Sequence, residues 1–157
     1  MDEKDMTFEE KYRPLYLGSQ LCFPLYACAK EIVRAYKPYL DDLDLTYTQY
    51  ITMMVLWEKR QVNVKTLGEA LYLDSGTLTP VLKKLENKGY ITRERSTRDE
   101  RNLLVQITKE GLALRDRALS VPEKMGSCIQ LSADEAAQLY QLLYQVIGRI
   151  TDQREEK

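Results

Sequence analysis

The sequence contains no histidine, which removes the commonest metal ligand and the commonest general base of enzymes. Its three cysteines, Cys22, Cys28 and Cys128, form no CxxC pair and are too few for a thiolate zinc site. We expect no metal, no cofactor and no catalytic residues, and a protein that is not an enzyme. An isolated cysteine in a reducing compartment is most often a small buried hydrophobic residue.

Long apolar runs are also absent. No stretch approaches the roughly 20 apolar residues that a membrane span needs, and the acidic start MDEKD does not fit a signal peptide. We therefore expect a cytoplasmic protein without a membrane partner. The formal net charge is −1, so any nucleic-acid binding must depend on a local basic surface and should be strongly salt-dependent. A length of 157 residues predicts a single domain, 1–157.

The sequence does contain a series of helical patterns of apolar residues in its first half. The first predicted helix spans residues 20–40, with Pro38 near its end, and follows an irregular N-terminal arm. A second helix is capped by Thr46, and a third spans residues 64–73. The residues expected on the buried sides of these helices are Leu21, Leu25, Ala29, Ile32, Val33, Tyr36, Tyr50, Met53, Met54, Leu56, Trp57, Leu67, Ala70 and Leu71.

A fourth helix organises the chain. It opens at Asp74-Ser75, and it ends near Gly89, the residue type expected just past a helix end. Because Pro80 cannot donate a backbone hydrogen bond, the helix either begins at Thr79-Pro80 or contains this proline one turn in. We favour the earlier start at Asp74-Ser75. The residues predicted to face the core are Leu78, Val81, Leu82 and Leu85, which keep a helical spacing.

Beyond this fourth helix, the spacing of apolar residues changes from one in about 3.6 residues, typical of a helix, to every second residue, typical of a strand. One predicted strand carries Ile91, Arg93 and Arg95 on one side, and the next alternates again after the charged stretch 96–102. Helix, turn, helix and hairpin in this order are typical of a winged helix. The predicted fold is therefore mainly α (α+β), with a winged helix-turn-helix lobe and a two-stranded wing over residues 45–108.

The winged lobe carries a local excess of basic residues. Between residues 75 and 101 there are seven Lys/Arg and four acidic residues. Hydroxyls at a helix N-terminus can contact phosphates or base edges, lysines add backbone charge, and an arginine on the wing can enter a narrow minor groove. The DNA-binding residues predicted on these grounds are Ser75, Thr77, Thr79, Lys83, Lys84, Arg93, Arg98 and Arg101.

The C-terminal part predicts two further helices and a loop. Thr108 can cap a helix that ends before Pro122, and a loop containing Cys128 follows. Ser132 to Glu135 fit a capping box at the start of a terminal helix. The first and last helices are apolar on more than one face, so each must bury apolar side chains against something beyond its own domain. We expect a homodimer in which the helices of residues 10–44 and 109–152 intertwine.

The most specific motif is the stretch Leu71-Tyr72-Leu73-Asp74-Ser75-Gly76-Thr77-Leu78-Thr79-Pro80, followed by Lys83-Lys84-Leu85-Glu86 and by Asp99-Glu100-Arg101. It resembles the recognition helix and wing of the MarR family of bacterial transcription regulators. Within that family the chain is most similar, over nearly its whole length, to the organic-hydroperoxide-resistance repressors. The resemblance implies a dimer that binds a double-stranded DNA operator. It also implies that Arg101 enters the minor groove, with Asp99 steadying it.

The segment Leu21-Cys22-Phe23-Pro24-Leu25-Tyr26 resembles the part of those repressors that carries the peroxide-sensing cysteine. Tyr36 and Tyr47 match the tyrosines that hydrogen-bond this cysteine. Fourteen residues of straight helix separate Cys22 from Tyr36 by about 21 Å, so the two cannot meet within one chain. If they touch, the tyrosine must belong to the partner subunit.

Oxidation of Cys22 by a hydroperoxide would give a sulfenic acid that a second thiol can capture as a disulfide. Cys28 lies six residues along, about 9 Å of helical rise and 240° of rotation away, so its side chain diverges from Cys22. Cys128, in the predicted loop, resembles the resolving cysteine of the two-cysteine repressors, where the bond forms between subunits. We assign Cys22 as sensor, Cys128 as resolver and Cys28 as packing.

The function expected from the residues and the resemblance is a peroxide-responsive repressor. Its reduced dimer binds a pseudo-palindromic operator and is released when an organic hydroperoxide oxidises Cys22. Two alternatives remain open. One is a MarR-type repressor released by a small aromatic or lipid-like ligand with passive cysteines, and the other is a thiol peroxidase.

Overall fold

The computed structural model describes residues 8–95 and 103–155. Within these residues the chain forms eight α-helices, two 3-10 turns and three strands. In chain order they are α1 Phe8–Tyr12, the 3-10 turns Arg13–Leu15 and Leu17–Ser19, α2 Cys22–Asp41, α3 Tyr47–Lys59, β1 Gln61–Asn63, α4 Val64–Leu71, α5 Ser75–Asn87, β2 Ile91–Arg95, β3 Leu103–Ile107, α6 Lys109–Ala118, α7 Val121–Ile129 and α8 Ala133–Glu155. The chain divides into two compact units, residues 1–121 and 122–157.

The three strands form one antiparallel sheet in the order β1-β3-β2. β2 and β3 are the two strands of the predicted wing, and Arg93 pairs with Val105 across them. The strand β1 was not expected, because its three residues are too few to show an alternating pattern; Val62 of β1 pairs with the same Val105. The helix-turn-helix of α4 and α5 followed by this sheet is the winged helix-turn-helix that the sequence predicts, and the mainly α fold is confirmed.

The core of the first unit is built on α3, α4 and α5. Its fully buried side chains include Met53, Leu56, Leu67, Leu78, Leu82 and Leu85, all of them predicted to face inward. Of the residues of α3 and α4 that were expected on the buried side, Met54 (45% exposed) and Ala70 are exposed. Met54 lies about 100° around α3 from the buried Met53. Leu21, Ala29 and Val33 of the first predicted helix are exposed in the single chain as well.

Side-chain caps fix where the helices begin. Thr46 and Gln49 form a capping box at the start of α3, and Thr108 caps α6 by accepting the backbone N–H of Gly111. Ser132 and Glu135 make the predicted capping box before α8, since the Glu135 carboxylate accepts from the Ser132 backbone and the Ser132 hydroxyl accepts from the Glu135 backbone. The cap predictions from the sequence are confirmed at these positions.

The helix α7 corrects one prediction. Gly126, Ser127 and Cys128 lie inside α7 and not in a loop. Pro122 occupies the second position of this helix, where the backbone N–H has no partner within the helix in any case, so the proline starts the helix where it was expected to end one. The arm before Leu21 was also expected to be irregular, and its described residues instead form α1 and the two 3-10 turns.

The second unit contains the long helix α8, whose apolar stripe is uncovered in the single chain. The exposed residues of this stripe are Leu139, Tyr140, Leu142, Tyr144, Val146 and Ile150. In the first unit, Leu21, Phe23, Tyr26 and Val33 on or next to α2 are exposed as well. Among the described residues no helix is both long and apolar enough to cross a membrane.

Candidate nucleic-acid interface and redox site

A tight helix-turn-helix positions α5. The first helix, α4, ends at Leu71 and is followed by Tyr72, whose backbone is left-handed (φ 54°). The N–H of Leu73 donates to the carbonyl of Gly68. A Cβ at position 68 would lie 2.8 Å from the Leu73 carbonyl oxygen, so the turn requires glycine there. The chain then enters α5, which the buried Leu78 anchors to the core.

Asp74 caps α5 and orders its first turn. One carboxylate oxygen accepts the backbone N–H of Thr77 at 2.8 Å, and the other accepts the Thr77 hydroxyl at 3.0 Å. Several hydrogen bonds lower the pKa of Asp74, and the one donated by the backbone N–H of Thr77 has the largest effect. The start at Asp74-Ser75 that the sequence favoured is therefore observed, with Pro80 inside the helix.

The outer face of α5 carries the predicted DNA-binding side chains. Ser75, Thr77, Thr79, Lys83 and Lys84 are all exposed on this one helix. The Thr77 and Thr79 hydroxyls already donate within the helix, to Asp74 and to the Ser75 carbonyl at 2.7 Å respectively. The remaining capacity of these two hydroxyls is to accept a hydrogen bond, whereas Lys83 and Lys84 can only donate.

Arg93 ties the wing to α5. Its Nε and Nη2 donate to Oε2 of Glu86 at 3.0 and 2.6 Å, and its backbone N–H donates to Oε1 at 3.1 Å. Both side chains are partly buried, at 22% and 33% exposure. The hydrogen bond from the Arg93 side chain, with its positive charge, lowers the pKa of Glu86. The guanidinium predicted to contact DNA is thus engaged by α5, and its DNA role stays a prediction.

The tip of the wing lies outside the described residues. Arg98, Asp99 and Arg101 belong to this stretch, and their predicted roles remain predictions.

At the C-terminal end of α5, Lys88 forms an ion pair with Asp44 at 2.8 Å and also donates to the Asp44 carbonyl. Lys88 therefore fastens the end of α5 to the loop between α2 and α3.

All three cysteines are exposed, and none forms a disulfide in the described chain. Cys22 is the first residue of α2, and Cys128 lies in the last turn of α7, in the second unit. Because Cys28 is exposed on α2, the core of its own chain does not supply the packing role assigned to it. No group of three or more metal-ligating side chains occurs among the residues that the structure describes.

The two predicted sensor tyrosines lie together. The ring centroids of Tyr36 and Tyr47 are 4.9 Å apart, and Tyr50 lies 5.8 Å from Tyr36. Burial raises the pKa of Tyr36 above its ordinary value of 10.0, and the neighbouring Tyr47 raises it further. Burial likewise raises the pKa of Tyr47. At neutral pH these phenols are therefore protonated hydrogen-bond donors.

The unbroken helix α2 separates Cys22 from these tyrosines of its own chain. The helix runs from Cys22 to Asp41, so Tyr36 lies fourteen residues along it, at about 21 Å of helical rise. A single chain therefore holds Cys22 far along α2 from Tyr36, which packs against Tyr47 at the start of α3.

Sequence reasoning missed the residues that hold these parts in place. Glu86 and Arg93 are seven residues apart across a helix end, a spacing that no local rule connects. The same is true of Trp57, whose indole N–H donates to the carbonyl of Gly111 at 2.8 Å. The sequence offered only an indirect indication of this contact: a buried tryptophan needs a hydrogen-bond acceptor for its indole N–H.

Comparisons with known proteins agree with this geometry. Residues 34–117, just over half of the chain, match the family of transcriptional regulators SarA/Rot. The chain is 44% identical over 139 residues to the organic hydroperoxide resistance transcriptional regulator of Bacillus subtilis (strain 168), covering 88% of this chain and 95% of that protein.

Structures of the protein AbfR, known from Staphylococcus epidermidis, are also similar. Reduced AbfR bound to DNA matches with a TM-score of 0.72 and 33% identity, over 86% of this chain and 96% of that one. The disulfide form of AbfR matches with a TM-score of 0.60 and 30% identity, over 93% and 99%. The chain therefore belongs to the SarA/Rot and MarR-type winged-helix transcriptional regulators, the family that its sequence resembles.

Proposed function

We propose that this protein is a peroxide-responsive transcriptional repressor. Its reduced homodimer binds a pseudo-palindromic DNA operator through α5 and the wing, and oxidation of Cys22 by an organic hydroperoxide releases it. The observation that carries the proposal is the exposed Cys22 at the first position of α2, while Tyr36, fourteen residues along the same helix, packs against Tyr47 at the start of α3. The identity to a hydroperoxide resistance regulator supports the same signal.

A dimer would supply what the single chain lacks. The exposed apolar stripe of α8 and the exposed Leu21 and Tyr26 beside Cys22 need a cover, and a second copy is the cover expected of MarR-type regulators. The Tyr36 and Tyr47 hydroxyls of one subunit would then hydrogen-bond the Cys22 sulfur of the other.

The proposed chemistry has two balanced steps. The Cys22 thiolate attacks the terminal oxygen of the hydroperoxide, the O–O bond breaks, and an alkoxide leaves. The alkoxide takes a proton from water, so the products are the Cys22 sulfenic acid and an alcohol. The Cys128 thiol of the partner subunit then attacks the sulfenic sulfur, a disulfide forms, and water leaves. Cys128 is exposed in the last turn of α7.

Release requires the oxidised state to bind DNA more weakly. A hundredfold loss of operator affinity corresponds to about 2.7 kcal/mol of differential binding free energy. We propose that the intersubunit disulfide pulls on the dimerisation helices and changes the spacing of the two α5 helices. Paired helices of this kind fit successive major grooves only at a centre-to-centre distance of about 34 Å.

The test is operator binding by the Cys22→Ser protein. It should bind the operator like the reduced wild type and stay bound after treatment with cumene hydroperoxide, and Cys28→Ser should be released as the wild type is. Release of Cys22→Ser by peroxide would show that Cys22 is not the sensor. Release of every variant by an aromatic acid without peroxide would favour the ligand-controlled repressor.

The disulfide has its own test. Peroxide should produce a cross-linked dimer on a non-reducing gel, and Cys128→Ser should not produce it. An undiminished cross-link in Cys128→Ser would move the resolving role to Cys28. Peroxide consumption separates a sensor from a peroxidase: one equivalent per Cys22 fits a sensor, and sustained turnover with a thiol reductant would identify an enzyme.

A further inference from the structure

The single tryptophan of the chain lies between the tyrosine pair and the base of the wing. Tyr36 contacts Tyr50 at 5.8 Å between ring centroids, and the Tyr50 ring meets the edge of Trp57 at 6.0 Å. The Trp57 indole N–H then donates to the carbonyl of Gly111 at 2.8 Å. Four aromatic rings, beginning with Tyr47, thus form a continuous packed series that ends on the backbone of α6.

The backbone at Gly111 is closely packed against the junction of α5 and the wing. A Cβ at position 111 would lie 2.1 Å from the carbonyl oxygen of Tyr90, the residue just before β2. Thr108, the cap of the same helix, donates its backbone N–H to Tyr90 at 3.0 Å and its hydroxyl to the carbonyl of Gly89. Any displacement of Gly111 must therefore move the residues where α5 ends and the wing begins.

Gly89 is the point at which this junction can respond. Its backbone is left-handed (φ 76°), and its N–H donates to the carbonyl of Glu86, the carboxylate partner of Arg93. The N–H of Tyr90 also turns back to Leu85 at 3.1 Å. The direction of β2 relative to α5 is thus set by a few backbone hydrogen bonds, which lie beside the contact between Gly111 and the Tyr90 carbonyl.

We propose that Trp57 is a positioning residue. It transmits the oxidation state of Cys22 from the tyrosine pair to α5 and the wing. The inference rests on the proposed function, because it needs Tyr36 and Tyr47 to shift when the Cys22 sulfur changes. Packed aromatic rings cannot deform continuously, so a shift of Tyr36 displaces Tyr50 and Trp57. The indole N–H passes the displacement to Gly111, and the wing changes its angle to α5.

The experiment compares wild type with Trp57→Phe, which keeps an aromatic ring and loses the N–H donor. Operator affinity is measured for the reduced protein and for the protein oxidised by cumene hydroperoxide, with Cys22 oxidation followed by sulfenic-acid labelling. We expect the reduced affinity to stay within about threefold of wild type and the oxidation-induced loss of affinity to shrink by about tenfold, within the usual range of coupling between sites. Met53→Leu, a buried substitution on the same helix, is the control and should keep the wild-type loss.

A wild-type loss of affinity in oxidised Trp57→Phe would overturn the role of Trp57. If the wild type itself is not released by peroxide, the proposed function fails instead, so the two failures are distinguishable. Because Trp57 is the only tryptophan, its fluorescence also tests the inference without any substitution at that position. Oxidation should shift the emission of the wild type and not of Cys22→Ser. An unshifted emission in a fully oxidised, released wild type would overturn the proposal.

Discussion

Replacing Arg93 by alanine tests whether this residue anchors the wing or contacts DNA. The substitution removes two hydrogen bonds, at 3.0 and 2.6 Å, from a carboxylate whose side chain is 33% exposed. Hydrogen bonds to charged groups contribute roughly 1.5–3 kcal/mol, and partial exposure reduces this, so we expect a loss of about 1.5 kcal/mol. For a chain of 157 residues this corresponds to a Tm about 4 °C lower, measured by thermal unfolding. Arg95→Ala, an exposed change on the same strand, should shift the Tm by less than about 1 °C.

The pH dependence of this loss has a definite sign. Arg93 lowers the pKa of Glu86 from its ordinary value of 4.5, so the unfolded chain binds this proton more readily than the folded one. The ion pair therefore stabilises the fold above pH 4.5, and its contribution disappears as the pH falls through the lowered pKa. The difference in unfolding free energy between wild type and Arg93→Ala should be full at pH 7 and shrink below pH 4.5. A difference that persists unchanged to pH 3 would refute the role of the ion pair.

DNA binding separates the two roles of Arg93. If Arg93 positions the wing, Glu86→Ala and Arg93→Ala should each weaken operator binding, and the double variant should be no weaker than either. This is the result that we expect from the geometry. If Arg93 instead binds the DNA backbone, Glu86→Ala should tighten binding by freeing the guanidinium, and only Arg93→Ala should weaken it. Tighter binding by Glu86→Ala would therefore refute the anchoring role.

Other substitutions test the DNA-binding face, the base of the wing and the tyrosine pair. Removing Lys83 and Lys84 together should reduce the slope of log affinity against log salt by about 0.9 for each phosphate that is no longer neutralised, and an unchanged slope would exclude both from the interface. Gly111→Ala should lower the Tm by more than Arg93→Ala does, because its Cβ meets the Tyr90 carbonyl oxygen at 2.1 Å. Burial raises the pKa of the Tyr47 phenol above its ordinary value of 10.0, so above about pH 10 the unfolded chain loses this proton more readily than the folded one and the folded state loses stability. Tyr47→Phe should therefore make the fall in unfolding free energy above about pH 10 less steep.

The sequence predicted the elements whose pattern is local and long. Helices α3 to α5, the cap at Thr46, the helix start at Asp74-Ser75 and the two wing strands follow from apolar spacing and local residue types, because both depend on neighbours within one turn. The strand β1 has three residues, too short for a period. Helix α7 was misassigned because Pro122 and Gly126 are common in loops, and only the position of Pro122 at the helix start resolves the ambiguity.

The candidate site was predictable to a similar extent. The separation of Cys22 from Tyr36 needs only the rise per residue of a helix, and the unbroken α2 bears it out. The contacts of Arg93 with Glu86 and of Trp57 with Gly111 depend on how elements pack, so spacing along the chain could not supply them. The exposure of Cys28 is of the same kind, because burial of a cysteine depends on what covers its helix.

The length of α2 has a genetic consequence. If each sensor is composed of Cys22 from one subunit and Tyr36 from the other, two different defective chains can complement each other. A heterodimer of Cys22→Ser and Tyr36→Phe chains combines both lesions in one sensor and leaves the second sensor entirely wild type. Cells that express both alleles would then regain part of the peroxide response that either allele alone abolishes.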